Sequence, residues 1–264
     1  MDLGFRGEIA DLYHSYRRGY PPAVIDAVAG GFGLGRDDVV VDLGCGTGQL
    51  TLPMAGRVRA VFGMDPEPDM LSRARRAAAE QDIANVSWMI AADADLPALQ
   101  ALLRPRTVGA VTIGQALHWM DHDELFRAVL PLVRPGGGVA VITNGTPLWQ
   151  QDSPWSRALR RFLEEWTGSP ATAPCGTDAA SQQRYRDSLT AAGYDVREAR
   201  VEYASDLSMD QLVGGIYSAL GDDRLPAPDQ RPAFADQVRR VVAPHEPLTE
   251  QVRVALILGV APAS

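Results

Sequence analysis

Two rhythms of apolar residues alternate along the first half of the chain. One is the short unbroken apolar run expected of a strand buried on both faces. The other is a longer stretch with apolar residues along one side of a helix. An opening helix is predicted over residues 8–18, carrying Tyr13, Tyr16, Arg17 and Arg18. Gly19-Tyr20-Pro21-Pro22 ends it, and a second helix follows at 22–29. Strands are predicted at Val39–Val41, Arg59–Met64, Val86–Ala91, Val108–Ile113 and Val139–Thr143. Helices fall between them at 49–55, Pro68–Gln81, Pro97–Leu103 and 122–133. Asp121 and Glu124 form a capping pair for the last of these, and Arg134-Pro135-Gly136-Gly137-Gly138 stops it. Five strands alternating with helices predict an α/β fold, a doubly wound and mostly parallel sheet with helices on both faces.

The rhythm breaks after Thr143. Residues 144–178 are rich in Trp, Pro and Ser, with a helix near 154–166. A helix near 179–192, ended by Gly193, and a strand near 194–203 resume the alternation. Helices at 208–220 and 231–242, joined by Leu225-Pro226-Ala227-Pro228, precede a final strand at Val252–Val260. The stretches 144–178 and 205–248 follow strands five and six, and the carboxyl ends of strands are where an open parallel sheet holds its ligands. They are therefore expected to be substrate-cap insertions on a single domain spanning 1–264.

Composition narrows the chemistry. At 264 residues and 46% hydrophobic content the chain can bury a sizeable core. A net charge of −8 disfavours nucleic acid and anionic membranes as partners. All 25 basic residues are arginine, which excludes Schiff-base, pyridoxal, Walker-A and protein-kinase chemistry, each dependent on a lysine amine. Cys45 and Cys175 lack the spacing of a zinc site or a redox pair, and no His or acidic cluster has metal-ligand spacing, so metal-independent chemistry is expected. The start Met1-Asp2-Leu3-Gly4 shows no basic region before an apolar run. No signal peptide is expected, and a cytoplasmic location follows.

The most informative segment is Val40-Val41-Asp42-Leu43-Gly44-Cys45-Gly46-Thr47-Gly48. Its glycines follow a strand and precede a helix, so backbone can approach a ligand closely. The spacing is G-x-G-x-G, not the G-x-G-x-x-G of dinucleotide binders. Asp42 just before it is a poor neighbour for a pyrophosphate and suits a ligand carrying positive charge. S-adenosylmethionine carries a sulfonium and an ammonium and no phosphate. Asp65, ending the second strand, stands where a carboxylate accepts from ribose hydroxyls. Asp93, in Ala92-Asp93-Ala94 after strand three, is placed to accept from an adenine amino group, with Asp95 as the alternative.

Several stretches occur together in order: Tyr13-His14-Ser15-Tyr16-Arg17-Arg18-Gly19-Tyr20-Pro21, the glycine segment, Gly63-Met64-Asp65-Pro66 with Met70, Ala92-Asp93-Ala94, Gln115-Ala116-Leu117-His118-Trp119 and Arg134-Pro135-Gly136-Gly137. With these the chain resembles the class I S-adenosylmethionine-dependent methyltransferases, in particular the small-molecule group around the ubiquinone/menaquinone and trans-aconitate enzymes. The resemblance covers residues 8–145 and is looser beyond. It implies seven strands in the order 3-2-1-4-5-7-6 with the last antiparallel, and S-adenosyl-L-methionine as cofactor. It implies that residues 1–30 form a lid, and that the methionine moiety lies against Gly44, Cys45 and Gly46 with Gln115 beside it. Asp65 would hold the ribose and Asp93 with Ala94 would meet the adenine, with Pro66 and Met70 also among the cofactor-binding residues. Tyr13 and Arg17 would come from the lid, Arg17 facing the cofactor carboxylate. Arg18 stands where many relatives have proline.

His118, after strand four, is a candidate general base for a phenol, amine or activated carbon, or else a pocket-lining or helix-capping residue. His122 is expected on the solvent side of its helix, His14 on the lid and His245 in a loop. Asp42 is expected to cap the turn through backbone N–H groups and to shape the cofactor pocket. Cys45 is expected to be a small residue in a tight turn. Trp166 is expected to be core of the first insert, with Trp149 and Trp155 open between core and an aromatic lid. Tyr217 is a candidate for the cavity under the inserts, and Arg73, Arg75 and Arg76 for a solvated helix face. The function expected is methyl transfer to a small-molecule acceptor, such as a secondary metabolite, by a monomer or homodimer. The alternatives are a protein that binds the same cofactor for non-methylating chemistry such as cyclisation, and a cofactor sensor. A nicotinamide oxidoreductase is disfavoured by the glycine spacing.

Overall fold

Side chains alternate across a strand, so a strand covered on both faces feeds two cores. The computed structural model, which describes residues 4–171, 175–220 and 224–263, shows this at β1 (Val39–Leu43). Val41 and Leu43 enter one core and Val40 the other, each fully enclosed. The chain then runs through β2 (Ala60–Asp65), β3 (Val86–Ile90), β4 (Val108–Gly114), β5 (Val133–Asn144), β6 (Asp195–Asp206) and β7 (Thr249–Val260). The sheet order is β3-β2-β1-β4-β5-β7-β6, with β7 antiparallel to both its neighbours, as the family resemblance implies.

Helices cover both faces. α1 (Glu8–Tyr16) and α2 (Pro22–Phe32) precede the sheet, and α3 (Thr51–Ala55), α4 (Pro68–Glu80), α5 (Leu96–Leu102) and α6 (His122–Val129) connect its parallel strands. α7 (Pro154–Thr167) and α8 (Ala179–Ala191) follow β5, while α9 (Met209–Tyr217) and α10 (Arg231–Val242) lie between β6 and β7. One core takes Leu96 and Leu99 of α5, Leu125 and Phe126 of α6, and Leu189 of α8. The other takes Val24, Val28 and Phe32 of α2 and Met54 of α3. The edge strand β6 buries none of its residues and carries Arg197, Glu198, Arg200 and Glu202, charges that discourage edge-to-edge pairing.

The structure departs from the sequence pattern in particular places. α6 stops at Val129, four residues short of expectation, because Leu132 N–H bonds back to Val129 and Val133 already pairs with Val108. The Arg134–Gly138 run is thus the first part of β5, not a helix stop. Asp121 does cap α6, accepting from Glu124 N–H at 3.2 Å. His122 does not face solvent. Its Nδ1 lies 3.1 Å from Ser188 Oγ on α8, and its ring meets Tyr185 edge-on at 5.4 Å.

The two inserts form one structural unit. Trp155, Leu159, Phe162 and Leu163 of α7 share a core with Leu212, Val213 and Ile216 of α9 and Phe234, Val238 and Val242 of α10. The second insert closes on itself where Leu207 N–H donates to Leu248 O, immediately beyond the last β6–β7 pair. Trp155, 3% exposed with its Nε1 donating to Thr249 O, is the anchor. Trp166, expected in the core, is 36% exposed and flanks Phe162 and Phe234. Met1–Leu3 of the expected lid, 172–174 of the first insert and 221–223 of the second lie outside the described residues. Among the described residues no helix is long and apolar enough to cross a membrane.

Phe234, fully buried among Phe162, Trp166 and Tyr217, joins the inserts. Phe234→Ala should cost about 3–5 kcal/mol of stability in denaturant unfolding. A loss below about 1 kcal/mol would show that the inserts do not share a core.

Candidate active site

The site is built at the carboxyl end of β1. Asp42 is 1% exposed there, and its partners are hydroxyls, not the backbone N–H groups expected. Thr51 Oγ1 of α3 donates to Oδ2 at 2.5 Å and Thr112 Oγ1 of β4 to Oδ1 at 2.7 Å. Asp42 therefore braces the loop from below and ties three elements together; its side chain is enclosed instead of lining a pocket. Burial pushes its pKa up to about 6, against the pull of the two hydroxyls, and the nearby Asp65 charge adds to the rise. Thr51 and Thr112 carried no sequence signal beyond Thr112 being the one hydroxyl inside an apolar strand.

The loop above it spends four of its amides internally, while Thr47 Oγ1 and Gln49 Nε2 are buried without a partner. Gly44 and Cys45 N–H both donate to Met64 O at 2.8 and 3.0 Å, Gly46 N–H to Asp65 Oδ2 at 2.8 Å and Gly48 N–H to Cys45 O at 3.0 Å. Gly44, Gly46 and Gly48 all have positive φ, which permits this turn without a Cβ penalty. Cys45 packs its sulfur toward Gly63, and its thiol pKa is raised by burial and by Asp42 and Asp65, so it is a small turn residue and not a nucleophile. Asp65 also accepts from Glu67 N–H at 2.9 Å through Oδ1, and burial raises its pKa. Each of its oxygens keeps a lone pair for a further donor.

The other candidates gather around this turn. Met70 Cε and the Tyr13 ring both border Gly46. Pro66 lies in the turn between Asp65 and Glu67, and Ala91 N–H donates to Asp65 O, bringing the β3 end and Asp93 alongside. Asp95 is consumed as the cap of its own turn, accepting from Ala92 N–H, whereas the Asp93 carboxylate has no hydrogen-bond partner among the described residues; Ala94 beside it is exposed. Gln115 adopts φ 56° at the β4 end, donates its N–H to Ile142 O and leaves its buried Oε1 without a partner. The neighbouring Ala116 packs on Gly44. Among the described residues no basic side chain pairs with Asp42 or Asp65. Two buried carboxylates without a basic partner fit a cation bearing an ammonium, ribose hydroxyls and an amino-purine better than a pyrophosphate, whose charge they would repel.

α1 covers the turn. The Arg17 guanidinium stacks on the Tyr13 ring at 5.2 Å and donates to Ser218 O at 3.2 Å. Arg6 pairs with the buried Glu67, Gly7 N–H donates to Asp69, and Asp11 pairs with Arg73, all toward α4. Glu8 pairs with Arg231 of α10, and Tyr16 lies so close to Gly214 of α9 that no Cβ fits there. Arg73 is therefore a lid contact, while Arg75 and Arg76 are exposed as expected. Arg18 pairs with Glu250, which is 3% exposed and also accepts from Gln151 at 3.1 Å.

His118 opens to solvent on one side beside Trp119. Partial burial, and then the Arg17 charge, hold its pKa below the ordinary histidine value. It borders a cavity of only about 10 Å³ with Gln115, Cys175 and Tyr185, the last two unforeseen from sequence. Tyr217 lines a different cavity, between α1 and α9, and not the one beside His118.

Because Asp42 holds its proton up to about pH 6 when folded and to about 3.8 otherwise, its ionisation costs stability as pH rises through that window. Asp42→Asn should lose stability relative to wild type least, or gain, at high pH. The variant-minus-wild-type difference should move in the variant's favour by on the order of 2–3 kcal/mol between pH 4 and pH 7.5. A difference independent of pH would show that Asp42 ionises normally.

Comparison with known proteins agrees with this chemistry. Residues 40–137 match the family described as a methyltransferase domain. Uncharacterised methyltransferases of Mycobacterium bovis and Mycobacterium tuberculosis are 28% identical over 256 residues, covering 97% of this chain and 92% of theirs. A candidate type II methyltransferase from Anaeromyxobacter dehalogenans superposes with a TM-score of 0.61 at 21% identity, over 94% of this chain and 100% of that one. The cyclase SpnF shares the fold at a TM-score of 0.53 and 20% identity, over 95% and 86% of the two chains. Fold, motif order and relatives point the same way: residues 40–137 carry the methyltransferase-domain match, and along most of its length the chain is similar to proteins named methyltransferases.

Proposed function

We propose that the chain methylates a small molecule, in the cytoplasm, as a monomer or homodimer without a nucleic-acid or membrane partner. The observation that carries this reading is the glycine loop over two buried carboxylates that no basic side chain among the described residues neutralises. Gly44, Cys45 and Gly46 would hold the methionine moiety through close backbone approach, with the free Gln115 Oε1 accepting from the ammonium. Asp65 would take the ribose hydroxyls, with Pro66 and Met70 packing beside them. Asp93, at Ala94, would take the adenine amino group. Tyr13 would cover the cofactor and Arg17 would face its carboxylate. Asp42 acts from beneath, as the charge that favours a cation. The unit built from α7, α9 and α10 serves as the cap and residues 4–30 as the lid.

When bound, S-adenosylmethionine supplies a sulfonium-activated methyl group, which an acceptor lone pair takes as the carbon–sulfur bond breaks. The protein's own work is orientation, exclusion of water and removal of the acceptor's proton. His118 is held neutral near pH 7 by its depressed pKa, so a ring nitrogen is free to take that proton.

Asp65→Ala should weaken S-adenosylmethionine binding about 10-fold to 100-fold by calorimetry. Asp65 also supports the loop, so Asp93→Ala is the companion: it should weaken binding severalfold with unchanged melting temperature. Full affinity in both variants would remove the site assignment. His118→Ala should keep affinity and lower turnover about 100-fold. Wild-type turnover should rise with pH through a pKa below 6.5 and be level by neutrality; the rise should vanish in the variant. SpnF shows that this fold also serves a cyclase, so release of S-adenosylhomocysteine is the decisive readout. Binding without release under any acceptor would favour non-methylating chemistry or a sensor.

A further inference from the structure

A glycine pair inside a helix costs stability, so its place in the fold has to supply a reason. α9 carries Gly214-Gly215 in its second half. At Gly214 the Tyr16 ring of α1 rests directly on the helix backbone, where no Cβ would fit, and at Gly215 Leu148 Cδ1 lies 3.0 Å from where a Cβ would stand. α1 and α9 thus approach closely, yet they do not close completely. Between them is a cavity of about 200 Å³, far larger than the space beside His118. Its walls are Leu12 and Tyr16 of α1 with Val213 and Tyr217 of α9. Leu12 and Tyr16 are four residues apart and form one stripe of the helix, whereas Tyr13, on the adjoining stripe, borders Gly46 of the glycine turn.

Two charged residues, Asp210 and Arg231, complete the lining. Arg231 is answered: it pairs with Glu8, donates to Pro226 O at 3.0 Å and lies over the Tyr217 ring at 5.9 Å. Tyr217 spends its hydroxyl on Arg231 O at 3.0 Å. Arg239, the other arginine whose charge reaches Tyr217, is bonded to Asp236 at 3.1 Å. Asp210 is 84% exposed at the mouth and has a loose ion pair with Arg239 at 3.7 Å. Among the described residues Glu8 offsets Arg231 and Asp236 offsets Arg239, so the mouth keeps Asp210 as a surplus negative charge. A benzene-sized ring fits a cavity of about 150 Å³. This cavity therefore takes one ring with a short side chain. Aromatic walls with a carboxylate at the rim suit an ammonium on such a ring.

We propose that this cavity is a second small-molecule site, separate from the methyl-transfer centre, and that its ligand is a primary amine carried on a single ring. The ring lies among Leu12, Tyr16, Val213 and Tyr217, and the ammonium reaches Asp210 at the mouth. An anion of the same size meets Asp210 as a like charge. A neutral ring keeps the walls and forgoes the carboxylate. Because the walls come from α1 and α9, a bound amine touches both the lid and the insert unit.

The probes are benzylamine, benzyl alcohol and benzoate, one ring with a positive, a neutral and a negative head. Binding to the full chain is followed by saturation-transfer NMR. Saturating S-adenosylhomocysteine fills the cofactor crevice, whose carboxylates would otherwise attract the amine. Wild type should bind benzylamine at least about fivefold more tightly than benzyl alcohol, and at least about tenfold more tightly than benzoate. Asp210→Asn should bring benzylamine within about twofold of benzyl alcohol. Val213→Phe, which fills the cavity from α9, should remove binding of both. No benzylamine binding by wild type, equal affinity for amine and alcohol, or a wild-type preference retained by Asp210→Asn would overturn the proposal. So would full binding by a folded Val213→Phe variant, or displacement of benzylamine by S-adenosylhomocysteine, which would put the amine in the cofactor crevice. Failure of wild type to bind S-adenosylhomocysteine in calorimetry would instead overturn the cofactor reading, and the Asp210→Asn comparison would still decide this site.

Discussion

Two carboxylates, one wholly enclosed and one nearly so, lie beneath and beside the glycine turn with no basic side chain among the described residues to neutralise them, and the rest of the site depends on that electrostatic fact. Asp42 is compensated by two hydroxyls and Asp65 by two backbone N–H groups, none of which carries charge. Such a pair is costly to ionise alone, and each raises the other's pKa or is raised by burial. A bound cation relieves the cost. A pyrophosphate would meet both carboxylates as like charges, so the buried acids separate a sulfonium site from a pyrophosphate site more sharply than glycine spacing does.

Packing links this centre to the rest of the molecule through α1. On one side the helix is paired to α4 through Glu67, Asp69 and Arg73, and on the other to α9 and α10 through Gly214, Ser218 and Arg231. Exposed ion pairs contribute little each. The Tyr16–Gly214 approach and the Tyr13 contact with Gly46 add apolar contact that a charge count misses. The lid therefore spans the boundary between the sheet and the insert unit, and whatever moves it alters access to both.

Much of the sheet was legible because each central strand is an unbroken apolar run between glycines or acids, which leaves few alternatives at β1, β2 and β4. The glycine segment, Asp65 and Asp93 were legible for the same reason, since they fall at strand ends. The misses have physical causes. Arg134-Pro135-Gly136-Gly137-Gly138 looks like punctuation, yet pairing of Val133 with Val108 draws it into β5. His122, Trp166 and Asp42 were misjudged because their surroundings come from distant segments: Ser188, Phe234, and Thr51 with Thr112. Tyr185 had no local signal at all, since a tyrosine on an amphipathic helix reads as ordinary packing until the cavity is seen. The shared core of the inserts was equally hidden, because periodicity describes each helix and not its partner.

The central claim is that the glycine turn on its two acidic supports selects a positively charged sulfur nucleoside over a dinucleotide. Calorimetric titration of the full chain with S-adenosylmethionine and, separately, with NADH tests it most directly. Saturable one-to-one binding of S-adenosylmethionine with no detectable heat from NADH is the result this account predicts. Binding of NADH with comparable or greater affinity would contradict it.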